Sequence, residues 1–388
     1  MSFNQKQHLE NNIEAIRLAF ELEKSGTRPT PEQQFKLRKY CGFGGLKCIL
    51  LPCNTPEDIA QWNKTDAPLF PLVMQLHQVL KDAADSELQY KMYMDSLQSS
   101  ILTAFYTPPE IASVIAYQFA KTGIQFKRFL DPSAGTGVFL SVSKLFDAQE
   151  KVCFEKDLMT GKILSLLFPD DTVYVDGFET MNSRYNGYFD VVSSNIPFGD
   201  FRVFDSSFSD SKDEVKRRSA SRIHCYFFFK AMDALREGGI MAFITSRWLT
   251  DGKNSEEERK WLMQRSNLVS AVRLPDNLFT DFANTQAPTD LIILQKNTAK
   301  KDFTNLEEAF INTVEICEGY PINKYFIESE QNILHTRRIF GTDQYGKPAI
   351  EYFHDGAMQE IAAALSAILE KDLKQYLDMM PSTRTPIG

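Results

Sequence analysis

The spacing of apolar and polar residues divides this chain into a helical first part and a second part of mixed pattern. In the first hundred residues, apolar side chains recur every three or four positions, as Leu9, Ile13 and Ile16 do, and this spacing is typical of amphipathic helices. Prolines and glycines mark where these helices begin and end. The predicted helices cover residues 5–24, residues from Pro31 to the glycine cluster at 42–45, and residues 56–98, the last with breaks at Pro68 and Pro71.

After Thr103, short apolar runs alternate with helical stretches. This alternation predicts an α/β fold with a mainly parallel sheet and helices on both faces, in which ligands bind at the carboxyl ends of the strands. The predicted strands are Arg128–Leu130, Lys151–Glu155, Thr172–Val175, Phe189–Ser193, Ile240–Thr245, Leu268–Arg273 and Asp290–Gln295. The predicted helices are residues 107–121, Val138–Phe146, Leu158–Leu167, His224–Glu237 and Ser255–Arg265.

The changes of pattern also predict three regions along the chain. These are a helical N-terminal region at residues 1–100, an α/β domain at residues 101–300 and a C-terminal extension at residues 301–388. The alternation fades beyond about residue 305, and residues 352–376 are predicted to form a closing helical stretch. The tail at residues 381–386 has the composition of a linker, so we expect the chain to continue into a longer protein.

The bulk composition narrows the class of protein. An apolar content of 43% and a charged content of 24% are typical of a soluble globular protein. No apolar run is long enough to cross a bilayer and the N-terminus is polar, so neither a membrane segment nor a signal peptide is predicted. The six cysteines include no CxxC pair and no neighbouring histidine. We therefore expect reduced thiols, no metal site and a cytoplasmic location.

The net charge of −8 argues against a protein that grips long stretches of phosphate backbone without sequence preference. The net charge does not exclude a local basic surface, because five cationic residues cluster in the sequence shortly after residue 200. Two interpretations stay open: these side chains contact a polynucleotide, or they lie in a solvated loop with interspersed acids. The five cations are Lys212, Lys216, Arg217, Arg218 and Arg222.

A glycine-containing turn follows the first predicted strand, in residues 129–140. Gly135 and Gly137 allow the backbone to approach a ligand without a Cβ in the way. Asp131 ends the strand, where it can accept a hydrogen bond from an ammonium group or orient the turn. The pattern of a phosphate-binding P-loop is missing from the sequence. The alternative to a ligand site is an ordinary tight turn.

Two further acids are predicted at the ends of the next strands. Glu155 lies eighteen positions after Gly137, a spacing that suits a bidentate contact with ribose hydroxyls. Asp176 can accept a hydrogen bond from an adenine amino group, and Phe178 can pack on the adenine ring. The alternatives are a surface glutamate and an Asp-Gly turn. Taken together, the turn and the two acids predict a site for an adenosine without phosphates, which suits S-adenosylmethionine.

The segment after the fourth predicted strand carries the most specific chemistry. Asn195 can accept one N–H of a planar amino group through its side-chain oxygen, and the carbonyl of Ile196 can accept the other. Pro197 shapes the turn, and Phe198 offers a face for stacking a base. The alternative is a simple turn at the end of a strand.

An aromatic amine is a poor nucleophile because its lone pair is delocalised into the ring. Two acceptors that hold its hydrogens out of the ring plane return electron density to the nitrogen, so orientation and electrostatics can supply most of the catalysis. No cysteine nucleophile is needed, which argues against methylation of a cytosine carbon. His224, which opens an aromatic helix, is expected to belong to the core.

This set of motifs resembles the class I, adenine-specific (N6-type) DNA methyltransferases, over roughly residues 100–300. The resemblance implies a Rossmann-like fold, S-adenosylmethionine as cofactor, and duplex DNA with a flipped adenine as substrate. The one departure is Ile196, which stands where the family has proline. By resemblance, the cofactor-binding residues are Thr107, Asp131, Ala134, Gly135, Gly137, Glu155, Asp176 and Phe178, and the catalytic residues are Asn195, Ile196, Pro197 and Phe198.

Two other segments, residues 37–46 and 237–246, resemble parts of large methylase–helicase fusion proteins of mobile genetic elements. This resemblance implies a role connected with restriction and modification, and a fused or associated helicase or restriction module as partner. Two alternatives stay open. One is a methyltransferase that acts on RNA or on a protein glutamine amide, and the other is a non-catalytic module that binds DNA or a partner within a larger protein.

Overall fold

The computed structural model describes residues 4–103, 106–280, 286–317, 319–343 and 346–378. The linker-like tail predicted at residues 381–386 lies outside these residues. The helices are α1 (Gln5–Ser25), α2 (Pro31–Leu37), α3 (Phe70–Ala83), α4 (Glu87–Thr103), α5 (Pro109–Lys121), α6 (Val138–Val142), α7 (Leu158–Leu167), α8 (Ser206–Ser209), α9 (Glu214–Ser219), α10 (Ile223–Ala234), α11 (Trp248–Asp251), α12 (Glu256–Met263), α13 (Asn305–Ile311), α14 (Lys324–Glu328) and α15 (Met358–Tyr376).

Seven strands form one central sheet, and four more form two small hairpins. The strands are β1 (Arg128–Asp131), β2 (Glu150–Phe154), β3 (Thr172–Tyr174), β4 (Phe189–Asn195), β5 (Leu235–Ser246), β6 (Ser266–Arg273), β7 (Thr289–Lys296), β8 (Thr313–Glu315), β9 (Pro321–Asn323), β10 (Arg337–Thr342) and β11 (Pro348–Phe353). None of the described helices is both long and apolar enough to cross a membrane.

The central sheet has the strand order β3-β2-β1-β4-β5-β7-β6. All neighbours from β3 to β5 pair in parallel, whereas β7 runs antiparallel to both β5 and β6. The carboxyl ends of β1, β2, β4 and β5 therefore meet at one edge of the sheet. The predicted α/β, Rossmann-like class I methyltransferase fold, with a helical region before it, is confirmed.

Most strands and helices lie where the apolar pattern predicts them, although several bounds differ. The helix predicted to reach Glu237 ends at Ala234, because β5 begins at Leu235 and pairs with Phe189 of β4. In residues 56–98, the breaks predicted at Pro68 and Pro71 lie where short 3-10 turns are followed by α3, and a further break separates α3 from α4. The closing helix begins only at Met358, because the residues before it form the β10–β11 hairpin.

The N-terminal region and the C-terminal helix are both packed onto the α/β domain. The N-terminal helices have their own apolar core, and α7 contributes Met159, Ile163 and Leu167 to it. On the other face, α15 packs against α5 and β6 with Leu365 and Leu369 fully buried. The domain boundaries at residues 100 and 300 stay predictions.

Candidate active site

The turn after β1 holds its shape through hydrogen bonds to the end of β2. The backbone N–H of Ala134 donates to the carbonyl of Phe154 over 2.9 Å. Within the turn, the N–H of Gly137 donates to the carbonyl of Ala134 over 2.8 Å. Gly135 and Gly137 have φ values of +55° and +84°, which glycine adopts without strain. A Cβ on Gly137 would collide with the ring of Phe168, so glycine is required there for packing as well.

Asp131 is fully buried at the end of β1. Its Oδ1 accepts hydrogen bonds from the hydroxyl of Ser194 over 2.7 Å and from the backbone N–H of Ser133 over 3.2 Å. Its Oδ2 is buried and has no hydrogen-bond partner within the described part of the chain. Burial raises the pKa of Asp131 to about 7, against the lowering effect of Ser194 and Ser133.

Glu155 lies directly after β2 and is half-buried. Its two carboxylate oxygens accept the backbone N–H groups of Gly135 over 2.7 Å and of Asp157 over 2.8 Å. Burial first, and then the charge of Asp157, raise the pKa of Glu155 to about 7. The predicted ribose acid therefore also joins the glycine turn to the start of α7.

The predicted catalytic segment begins at the carboxyl end of β4. Asn195 pairs with Ile244 of β5, and the backbone N–H of Ile196 donates to the carbonyl of Ile244 over 3.1 Å. The side chain of Ile196 is buried in the core. Phe198 is half-buried and packs against the opposite core cluster, and Pro197 is also half-buried.

One hydrogen bond joins the two halves of this site. Ser194 precedes Asn195 in the chain, and its hydroxyl donates to Asp131 and also lies 3.2 Å from the carbonyl oxygen of Ser133. The glycine turn and the Asn-Ile-Pro-Phe segment are therefore in direct contact, as neighbouring parallel strands require. Ser194 was not among the site residues predicted from the sequence.

The segment before α5 also reaches the glycine turn. The ring of Tyr106 lies 2.8 Å from the position that a Cβ on Gly135 would take. Thr107 is buried, and its hydroxyl has no hydrogen-bond partner among the residues described. Tyr106 was missed by sequence reasoning, although it directly precedes the Thr107 segment and could have been found there.

The third strand places its two predicted residues differently from each other. Asp176 is exposed two residues after β3, and its Oδ1 accepts the backbone N–H of Gly177 over 2.7 Å. Phe178 is buried with its ring against Phe154 and Phe227. Phe178 is therefore a residue of the hydrophobic core. The adenine contacts of Asp176 and Phe178 stay predictions.

The five cations after residue 200 are mostly neutralised by acids of the protein itself. Lys216 pairs with Asp233, and Arg218 and Arg222 both pair with the fully buried Glu258. This arrangement favours the interpretation of a loop whose charges are internally compensated over that of a phosphate-binding face.

His224 is buried at the start of α10, as expected for a core residue. Burial lowers its pKa to about 4, so the imidazole is neutral at physiological pH. In the part of the chain that the structure describes, no cluster of three or more His, Cys, Asp or Glu side chains is placed to hold a metal ion. A reaction without a metal stays a prediction.

Comparisons with known proteins place the chain in a family. The family model for N-6 DNA methylases matches residues 166–376, which is more than half of the 388 residues and includes the Asn195 segment. Defense against restriction protein B of Escherichia phage P1 is 26% identical over 286 residues, which are 71% of this chain and 12% of the phage protein. The type II methyltransferase M.HincII of Haemophilus influenzae is 23% identical over 258 residues, which are 64% of this chain and 47% of that protein.

This chain therefore spans less than half the length of these two curated relatives. Among solved structures, the type I restriction enzyme EcoKI M protein is similar, with 14% identity and a TM-score of 0.41 over 77% of this chain and 64% of that one. The match to the family model confirms the resemblance that the sequence motifs indicate. The chain belongs to the N-6 DNA methylase family, whose members are S-adenosylmethionine-dependent methyltransferases.

Proposed function

We propose that this chain transfers a methyl group from S-adenosylmethionine to the exocyclic amino group of an adenine in DNA. The observation that carries the proposal is the contact between Asp131 and Ser194. It brings the predicted cofactor turn beside Asn195, so a methyl donor and an amine acceptor could meet at one edge of the sheet. Family membership supports the reaction class, and the choice of DNA rests on the motif resemblance.

The residues of the turn suit the cofactor chemically. The buried Oδ2 of Asp131 and the buried hydroxyl of Thr107 have no hydrogen-bond partners among the described residues, and such groups call for a polar ligand. An ammonium group would satisfy Asp131. Ribose hydroxyls would be held by Glu155, whose two oxygens already accept two backbone N–H groups and retain further lone pairs.

When bound, S-adenosylmethionine supplies an electrophilic methyl group on a sulfonium. The side-chain oxygen of Asn195 and the backbone carbonyl of Ile196 would each accept one N–H of the target amine. Phe198 would stack on the adenine ring and hold the amine in line for attack. The nitrogen becomes acidic on methylation and loses its proton to solvent, so the site needs no strong base.

The adenine must leave the base stack to reach this edge, since its amino group is otherwise engaged in the duplex. We also propose that the chain works within a larger protein or assembly in the cytoplasm, together with a helicase or restriction module. The match covers only 12% of the phage P1 protein, which supports the part of this proposal that concerns a larger protein.

Methyl-transfer assays with the Asn195→Ala variant test the proposal. We expect transfer to duplex DNA to fall by at least about 100-fold, the usual effect of removing one preorganised hydrogen-bonding group. Binding of S-adenosylmethionine, measured by calorimetry, should change less than about twofold because the turn is untouched. Asn186→Ala, at an exposed asparagine, is the matched control and should keep full activity.

The same assay separates the alternative substrates. Labelled cofactor is incubated with duplex DNA, with RNA and with protein, and methylation of RNA or protein alone would refute the DNA assignment. A wild-type chain that binds no S-adenosylmethionine would be a non-catalytic module instead. Retained transfer by Asn195→Ala would remove Asn195 from its proposed role.

A further inference from the structure

Two large aromatic side chains are exposed directly after the proposed catalytic segment. Phe201 is 61% exposed and Phe204 is 82% exposed, and they lie six and nine positions after Asn195. Exposed phenylalanines cost free energy in water unless a partner covers them. Because both residues closely follow the Asn195 segment in the chain, we take the substrate of the proposed reaction as this partner.

The backbone around Phe204 is held firmly on both sides. The N–H of Val203 donates to the carbonyl of Ala220 over 2.8 Å. On the other side, Oδ2 of the buried Asp205 accepts hydrogen bonds from the hydroxyl of Tyr226 and from Nζ of Lys230, both over 2.7 Å. The ring of Phe204 is therefore displayed to solvent from an anchored backbone.

Phe201 lies against the turn that leaves the catalytic segment. Gly199 has a φ of +141°, and a Cβ at this position would lie 2.6 Å from the ring of Phe201. Glycine is thus needed at residue 199 for its backbone conformation and for the close approach of this ring. Gly199 directly follows Phe198 in the chain, so the Phe201 ring packs against the backbone that continues from the proposed base-stacking residue.

A cation lies between these two residues in the chain. Arg202 is exposed, and no carboxylate among the described residues lies within ion-pair distance of it. It differs in this respect from Lys216, Arg218 and Arg222, which are paired with acids of the protein. A cation without an acidic partner in the described part of the chain, flanked in the sequence by two exposed aromatic residues, matches the chemistry of a nucleic acid, which offers a phosphate beside flat bases.

We propose that Phe201 and Phe204 form an aromatic wedge that stacks on the bases next to the extruded adenine, while Arg202 contacts the adjacent phosphate. This inference rests on the proposed function and specifies how the duplex is opened. Stacking on the neighbouring bases compensates for the stacking that they lose when the adenine leaves the helix. The wedge is therefore needed for duplex substrates and dispensable for single strands.

Transfer assays on two forms of one DNA test this inference. Genomic DNA without adenine methylation is used as a duplex and after heat denaturation, with labelled S-adenosylmethionine. We expect Phe204→Ala and Phe201→Ala each to lower transfer to the duplex by about tenfold or more, and to change transfer to the single strands by less than about threefold. Phe204→Trp should keep duplex activity because it retains a stacking surface.

The control variant is Phe35→Ala, which removes a ring that is 64% exposed on α2, and it should behave as the wild type on both substrates. Calorimetry with S-adenosylmethionine checks that the wedge variants keep their fold. Equal activity of Phe204→Ala and wild type on duplex DNA would overturn the wedge, and so would equal losses on both substrates. A wild type that methylates neither DNA form would instead refute the proposed function itself.

Discussion

At the scale of single residues, Ile196 shows how the site tolerates its departure from the family pattern. Proline would restrict φ at this position but has no N–H to donate. Isoleucine instead donates its backbone N–H to Ile244 over 3.1 Å and buries its side chain in the core. The turn is therefore held by a hydrogen bond and by packing, and the carbonyl that would accept from the substrate is retained.

This argument predicts the behaviour of Ile196→Pro. The variant keeps the acceptor carbonyl, so methyl transfer should stay within about threefold of wild type. It loses the bond to Ile244, so its free energy of unfolding should fall by about 1 kcal/mol more than that of Ile196→Val, which keeps the N–H. Urea denaturation of the two variants measures the difference. Equal stability would mean that the bond contributes nothing to the turn.

At the scale of elements, the start of α7 connects the N-terminal region to the glycine turn. Oδ1 of Asp157 caps the helix by accepting the N–H of Thr160 over 2.8 Å, and Oδ2 accepts the hydroxyl of Ser96 on α4 over 2.6 Å. The backbone N–H of the same residue donates to Glu155. One aspartate thus joins two helices and the end of a strand.

We expect Asp157→Ala to lower the free energy of unfolding by about 1–2 kcal/mol, since it removes both the helix cap and a buried hydrogen bond. Asp157→Asn keeps an oxygen that can cap Thr160 but replaces the oxygen that accepts from Ser96 with an NH2 group, so its effect should be smaller. Urea denaturation followed by far-UV circular dichroism compares the two. If Asp157→Asn proved as destabilising as Asp157→Ala, the cap would not be the main contribution of Asp157.

At the scale of the whole molecule, two acids of the site, Asp131 and Glu155, make the free energy of unfolding depend on pH. The pKa values of Asp131 and Glu155 are both raised to about 7 by burial. The folded state therefore holds these protons more tightly than the unfolded chain, in which the acids titrate near 4. Their contribution to stability is greatest at low pH and is lost as pH rises from about 4 to about 7.

Replacement of one acid isolates this effect from the other titrating groups. The amide of the Asp131→Asn variant cannot ionise. The free energy of unfolding of this variant, relative to that of the wild type, should therefore be larger at pH 7.5 than at pH 5.5. Asp176→Asn, at an exposed position, is the control and should show no such trend. Thermal denaturation at the two pH values measures both variants, and parallel shifts of Asp131→Asn and wild type would contradict the raised pKa.

The sequence alone determined the order of elements and placed Asp131, Glu155 and Asn195 at the ends of strands, because periodicity and turn chemistry are local properties of the chain. It predicted the strands that carry Asp131 and Asn195 to within a few residues. It missed the β10–β11 hairpin, because β10 is exposed along most of its length and lacks the alternation of apolar and polar residues that marks a half-buried strand. It also could not predict that Phe178 packs inside the core.

Only the tertiary structure decided which side chains meet. Ser194 reaches Asp131 across 63 positions of the chain, and Glu258 pairs with Arg222 across 36. Such contacts depend on how strands and helices pack, so the charge of a cluster and the exposure of a ring cannot be read from neighbouring residues. For this reason Lys216, Arg218 and Arg222 of the basic cluster proved to be paired with acids of the protein, whereas Phe201 and Phe204 were left facing the solvent.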